Sequence, residues 1–76
     1  PPLRYADLRD RVKEKNPNIK LGTRFNNVMK IIKADPKCCQ VRYLDPKKKN
    51  GSKTEFYTEF AIDELIRLYE EQEVKP

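Results

Sequence analysis

One short segment constrains the fold of this chain more than any other, because it carries an apolar stripe at the spacing of an α-helix. The stripe consists of Phe25, Val28, Met29 and Ile32. Thr23 can cap the start of such a helix, and Asp35-Pro36 ends it. The sequence therefore predicts a helix over residues 23–34 whose apolar side lies in a core.

The N-terminal segment predicts another helix, over residues 3–15. Asn16-Pro17 ends it, because the residue before a proline disfavours helical backbone. Its apolar side consists of Tyr5, Leu8 and Val12. Residues 18–22 then form a connection to the helix over 23–34.

The C-terminal segment allows two interpretations. Ser52 and Glu55 form a capping box, which favours a helix over residues 54–72. The alternative is a strand over 54–60 that pairs with 40–44 around an Asn50-Gly51 turn. We favour the helix, because Phe56 and Tyr57 would face opposite sides of a strand.

We therefore predict an all-α fold, a three-helix bundle, in which residues 37–44 form a short strand or a 3₁₀ turn before the last helix. It occupies residues 1–76 as one small domain, cut from a longer protein. The alternative is an α+β, winged-helix-like domain with a basic hairpin. The predicted core consists of Tyr5, Leu8, Val12, Phe25, Val28, Met29, Ile32, Tyr57, Phe60 and Leu65. The long last helix also has apolar positions left for a partner, namely Ile62, Ile66 and Tyr69.

Residue usage excludes several classes of function. The chain has no His, so histidine-based catalysis is impossible, and we predict no enzyme and no cofactor. Its two cysteines are adjacent, which disfavours a disulfide between them and indicates a reducing, intracellular compartment. Two thiols are too few for a zinc site, so no metal is expected. No apolar run approaches the ~20 residues that span a bilayer, so no membrane is expected.

Charge is distributed unevenly along the chain. Residues 1–54 contain fifteen Lys and Arg against five Asp and Glu, whereas residues 55–76 contain two against seven. The basic part could bind an anionic partner, although a solvated surface is the more common explanation of such lysines. The candidate residues for this contact are Lys13, Lys15, Lys20, Arg24, Lys30, Lys33, Lys37, Lys47, Lys48, Lys49 and Lys53.

Residues 23–37 resemble the middle of FF domains, which are small helical modules of splicing and transcription factors. The likeness rests on the opening Thr23-Arg24-Phe25 and on the stop Asp35-Pro36-Lys37. Tyr57 and Phe60 also have the spacing with which the last helix of the family begins. The resemblance implies a non-catalytic, nuclear adaptor for acidic or phosphorylated protein segments in transcription or mRNA splicing.

The competing hypothesis is a basic domain that binds DNA or RNA, as part of a chromatin protein or a ribonucleoprotein. In this case the helix over 23–34 would lie in a groove, and the loop over 46–53 would form a wing. The structure of residues 40–60 distinguishes the two hypotheses. A hairpin there favours nucleic-acid binding, whereas a helix favours the adaptor.

Overall fold

The computed structural model describes residues 2–43 and 53–74 and has an α+β fold. The elements are α1 (Tyr5–Lys15), α2 (Thr23–Ala34), β1 (Cys39–Tyr43), β2 (Lys53–Tyr57) and α3 (Glu59–Val74). The strands β1 and β2 pair in antiparallel register, from Cys39 opposite Tyr57 to Tyr43 opposite Lys53. The helices α1 and α2 each pack against α3, and they also contact the two strands.

The prediction of an all-α bundle is wrong, because residues 53–57 form a strand and the last helix begins only at Glu59. Phe56 and Tyr57 do face opposite sides, but this is what a sheet with one packed face requires. Tyr57 is 1% exposed and lies in the core, whereas Phe56 is half-buried on the other side. Ser52, the proposed cap, lies outside the described residues.

The start of the chain adds a third short element to the sheet. Leu3 forms a bridge to Tyr57 through two backbone hydrogen bonds: each N–H donates to the other's carbonyl oxygen, at 2.9 Å from Leu3 and 2.7 Å from Tyr57. The order across the sheet is therefore Leu3, β2, β1. Because Leu3 is extended, α1 starts at Tyr5 rather than at residue 3 as predicted. The backbone N–H of Arg4 donates to Asp7 Oδ2 at 3.2 Å in the first turn.

The helix α2 has the predicted bounds, Thr23–Ala34. Its cap differs from the prediction, since Gly22 occupies the N-cap position and Thr23 is the first helical residue. The carbonyl oxygen of Gly22 accepts a hydrogen bond from Asn26 N–H at 2.9 Å. At the other end the backbone leaves the helical region at Asp35. The Asp35 carboxylate accepts the N–H of Lys37 at 2.9 Å and helps to turn the chain toward β1.

The core lies between the three helices and one face of the sheet. Its buried members are Leu3, Leu8, Val12, Ile19, Phe25, Val28, Met29, Ile32, Cys38, Cys39, Tyr57, Ala61, Ile62, Leu65 and Tyr69. Two predicted core residues are exposed instead, Tyr5 by 41% and Phe60 by 50%. Both lie in the first turn of a helix that begins later than predicted, so they extend past the packed part of the bundle.

The predicted partner patch on the last helix does not form an exposed surface. Ile62 and Tyr69 are buried, and Ile66 is partly buried against the core. The Tyr69 hydroxyl accepts the backbone N–H of Lys20 at 3.0 Å. The reason is that α3 packs against both α1 and α2, so a wide apolar surface serves the core rather than another chain.

Candidate functional site

A groove lies beside the exposed face of α2. Asn26, Lys30 and Lys33 are four and three residues apart, which places them on one side of the helix. Together with Tyr5 and Met29 they line an open groove of about 330 Å³. No carboxylate lines this groove in the described part of the chain. The groove therefore combines two ammonium groups and one amide with the apolar side chains of Tyr5 and Met29.

The C-terminal half of α2 lies next to the start of the hairpin. Burial raises the pKa of the Cys39 thiol, and the charge of Glu55 raises it further, whereas the nearby charge of Lys33 lowers it. The helix α2 also packs directly beside β1. The end of the groove that carries Lys33 is therefore near the start of the hairpin.

Side-chain alternation defines what this side of the hairpin presents. Val41 and Tyr43 lie on the same face of β1 as Cys39, and both are exposed, by 43% and 40%. Lys53 lies opposite Tyr43 in the register, and the half-buried Glu55 lies opposite Val41. Beyond the core, this face therefore offers an apolar and aromatic surface with one cation and one carboxylate.

Acidic residues of α3 pair with the cations of α1. Arg11 Nη2 lies 3.0 Å from Glu59 Oε2, and Lys15 Nζ lies 3.0 Å from Asp63 Oδ1. Arg67, within α3, lies between Glu64 and Glu71, and its hydrogen bond to Glu64 raises its pKa. These contacts are exposed and contribute little stability. They nevertheless cancel much of the positive charge on the α1–α3 side.

The lysines that have no carboxylate partner lie mostly outside α1 and α3. Within residues 2–43 and 53–74, no ion pair or side-chain hydrogen bond involves the ammonium groups of Lys20, Lys30, Lys33, Lys37 and Lys53. Three of them follow α2 and the turn after it, and Lys53 begins β2. Most of these unpaired lysines thus lie on α2, in the turn after it and at the start of β2.

The other predicted contact residues have different roles. Lys13 Nζ donates to the carbonyl oxygen of Ile19 at 3.1 Å, so it ties α1 to the next connection. The Arg24 guanidinium stacks on the Tyr69 ring, with its central carbon 3.9 Å from the ring centre. Lys15 is paired with Asp63, as described above. Lys47, Lys48 and Lys49 lie outside the described residues.

A second surface was missed from the sequence, on the open face of the sheet. Arg4 and Arg42 place their guanidinium carbons 5.6 Å and 5.5 Å from the centre of the Phe56 ring. Gln40, directly opposite Phe56, is exposed beside them. A period-two reading of residues 39–43 and 53–57 would have found this face. Because we predicted a helix over residues 54–72, this face of the sheet was not identified from the sequence.

The buried titratable groups of the described residues include the free thiol of Cys38. Burial, the first cause, and the neighbouring Asp35 raise the pKa of the Cys38 thiol to about 11. A thiol with so high a pKa is a poor nucleophile at neutral pH. In the described part of the chain, no three His, Cys, Asp or Glu side chains come together as a possible metal site.

Comparison of the chain with protein-family models, curated proteins and solved structures found no match. The FF-domain resemblance thus gains no support, and the two-stranded sheet departs from the helical bundle that it implies. None of the described helices has the length and apolar character needed to cross a membrane.

Proposed function

We propose that this domain binds nucleic acid through the α2 groove and the adjoining side of the hairpin. The observation that carries the proposal is the distribution of unpaired cations. Carboxylates of α3 pair with Arg11 and Lys15 of α1, whereas Lys30 and Lys33 keep free ammonium groups on one side of α2, and Lys37 does so in the turn after it. Free lysines on one face attract phosphates and release counterions when they bind.

The shape of this surface favours a duplex. A single exposed helix fits the major groove of DNA, where phosphate contacts set the position and base edges give specificity. Lys30 and Lys33 would contact phosphates, and Asn26 on the same face could pair with the edge of an adenine. The face lacks an arginine for guanine, so we expect binding with weak sequence preference.

The hairpin extends the same surface. Lys53 begins β2 on the face that adjoins α2, and Tyr43 lies opposite it. A hairpin next to a groove-bound helix can contact the neighbouring backbone, as in the winged arrangement considered above. The helix α2 packs beside β1, so the two elements adjoin each other. A helix with an adjoining hairpin supports this function over an adaptor built from three helices alone.

The test is a salt titration of duplex binding with a charge-matched pair of variants. Lys30→Gln/Lys33→Gln removes two ammonium groups from the α2 groove. Lys15→Gln/Arg67→Gln also removes two cations, the ammonium group of Lys15 on α1 and the guanidinium group of Arg67 on α3. A labelled 16-base-pair DNA duplex is titrated at several salt concentrations by fluorescence anisotropy. Loss of two phosphate contacts should reduce the slope of log K against log salt by about 2 in the first variant, at roughly 0.9 per contact.

Equal losses in the two double variants would contradict the proposal, because the effect would then reflect net charge and not the groove. Absence of duplex binding by the parent protein at low salt would also contradict it. A phosphorylated acidic peptide is titrated in parallel. Tight peptide binding without duplex binding would favour the adaptor instead.

A further inference from the structure

The open face of the sheet carries an aromatic ring between two arginines. Leu3 and Tyr57 point into the core, so Arg4 and Phe56 alternate to the opposite side. Arg42 reaches the same ring from β1. The three side chains thus come from the residue after the Leu3 bridge, from β2 and from β1, with Phe56 in the middle.

Phe56 is half-buried, and neither arginine is stacked closely on its ring. Their guanidinium carbons lie 5.6 Å and 5.5 Å from the ring centre, whereas Arg24 closes on the Tyr69 ring at 3.9 Å. The Arg24–Tyr69 pair is a closed stack, and Tyr69 is buried. At the longer distance, Arg4 and Arg42 are still within cation–π range but are not stacked tightly on Phe56.

A shallow hollow of about 300 Å³ adjoins the ring. Its lining includes Phe56, Pro2, Gln40 and Thr58, together with Glu59. Glu59 is the one carboxylate in this lining, and Arg11 pairs with it at 3.0 Å. The Gln40 amide can both donate and accept hydrogen bonds, as the edge of a nucleobase requires.

We propose that this face binds an unpaired nucleotide segment, with a base stacked on Phe56 and its flanking phosphates on Arg4 and Arg42. Aromatic rings bind bases of any sequence by stacking, and a cationic border follows the backbone. Guanidinium groups also stack on bases, so either arginine can cover the second face of the bound base. The charge on both sides of the ring favours this occupant over an uncharged apolar partner.

The site is separate from the α2 groove, since the two lie on opposite faces of the sheet. A protein with both could hold a duplex on one side and an unpaired strand on the other. The inference depends on Phe56, and the proposed function depends on Lys30 and Lys33. Each can therefore fail without the other.

The test compares two aromatic substitutions on one scaffold. Phe56→Leu keeps an apolar side chain but removes the ring, and Phe60→Leu does the same at an exposed ring on α3 with no described arginine contact. Each variant is titrated with labelled ten-nucleotide oligothymidylate by anisotropy. Loss of one stacked base should weaken single-strand binding about fivefold or more in Phe56→Leu. Phe60→Leu should bind as the parent does.

Three further measurements make the result decisive. Thermal unfolding verifies that Phe56→Leu is folded, and Phe56→Tyr, which keeps a ring, should restore binding. Duplex binding should be unchanged in Phe56→Leu. Unaltered oligothymidylate binding in folded Phe56→Leu would overturn the inference, as would equal losses in the two leucine variants. Arg42→Gln without any loss would overturn the phosphate contact.

Discussion

At the scale of single residues, two buried tyrosines show that burial alone does not determine how much a side chain contributes to stability. The Tyr69 hydroxyl accepts the N–H of Lys20 and its ring carries Arg24. The Tyr57 hydroxyl, by contrast, has no hydrogen bond among the described residues, and only the weakly bonding Cys39 thiol interacts with it. Burial, followed by the charge of Glu55, raises the pKa of Tyr57.

This difference predicts opposite effects of removing the two hydroxyls. Tyr57→Phe should leave the free energy of unfolding unchanged or raise it by about 1 kcal/mol, because a desolvated polar group is removed. Tyr69→Phe should lower it by about 1 kcal/mol, because the Lys20 N–H loses its partner. Urea denaturation of both variants measures this. A clear loss of stability in Tyr57→Phe would show that its hydroxyl has a partner.

At the scale of elements, the sequence predicted α2 with its observed bounds, but it favoured a helix where β2 lies and gave the hairpin only as the alternative. The apolar stripe on α2 has the period of a helix, and Asp35-Pro36 ends it, so the bounds of α2 were predicted correctly. The segment around Phe56 and Tyr57 carries apolar residues on both faces of a strand, which also suits a helix. Only the pairing with residues 39–43, distant in sequence, decides between the two. The α2 lysines were therefore predicted, but the Phe56 surface was not.

The N-terminal bridge is an element that the sequence did not indicate at all, and it predicts a large effect at Leu3. Leu3 is 8% exposed and packs in the core while its backbone pairs with Tyr57. Leu3→Ala should cost about 2–5 kcal/mol in the free energy of unfolding. The matched control is Leu21→Ala, at a leucine that is 50% exposed, which should change it by less than about 0.5 kcal/mol. Similar losses at both positions in urea denaturation would show that the bridge is not part of the stable fold.

At the scale of the whole molecule, charge is arranged by pairing and not by sequence position alone. The basic α1 and the acidic α3 cancel one another through Arg11–Glu59 and Lys15–Asp63. The uneven distribution of charge along the sequence could not indicate which cations the acidic segment pairs with. Among the described residues, cations without a carboxylate partner remain on α2 and at the start of β2, and also on the open face of the sheet at Arg4 and Arg42. In this view α3 excludes α1 from an otherwise general attraction for anions.

That role of α3 predicts that removing two carboxylates widens the surface that contacts nucleic acid. Glu59→Gln/Asp63→Gln frees Arg11 and Lys15, whereas Glu70→Gln/Glu71→Gln raises the net charge equally without freeing α1. Adding the duplex should change amide NMR chemical shifts only in α2 and the hairpin, both in the parent and in the control. In the first variant, the affected amides should also include those of α1. The salt slope of that variant should rise by up to about 2. Identical behaviour of the two variants would mean that net charge, not local pairing, governs binding. The ion pairs are exposed, so their loss should cost less than about 1 kcal/mol each and leave the fold intact.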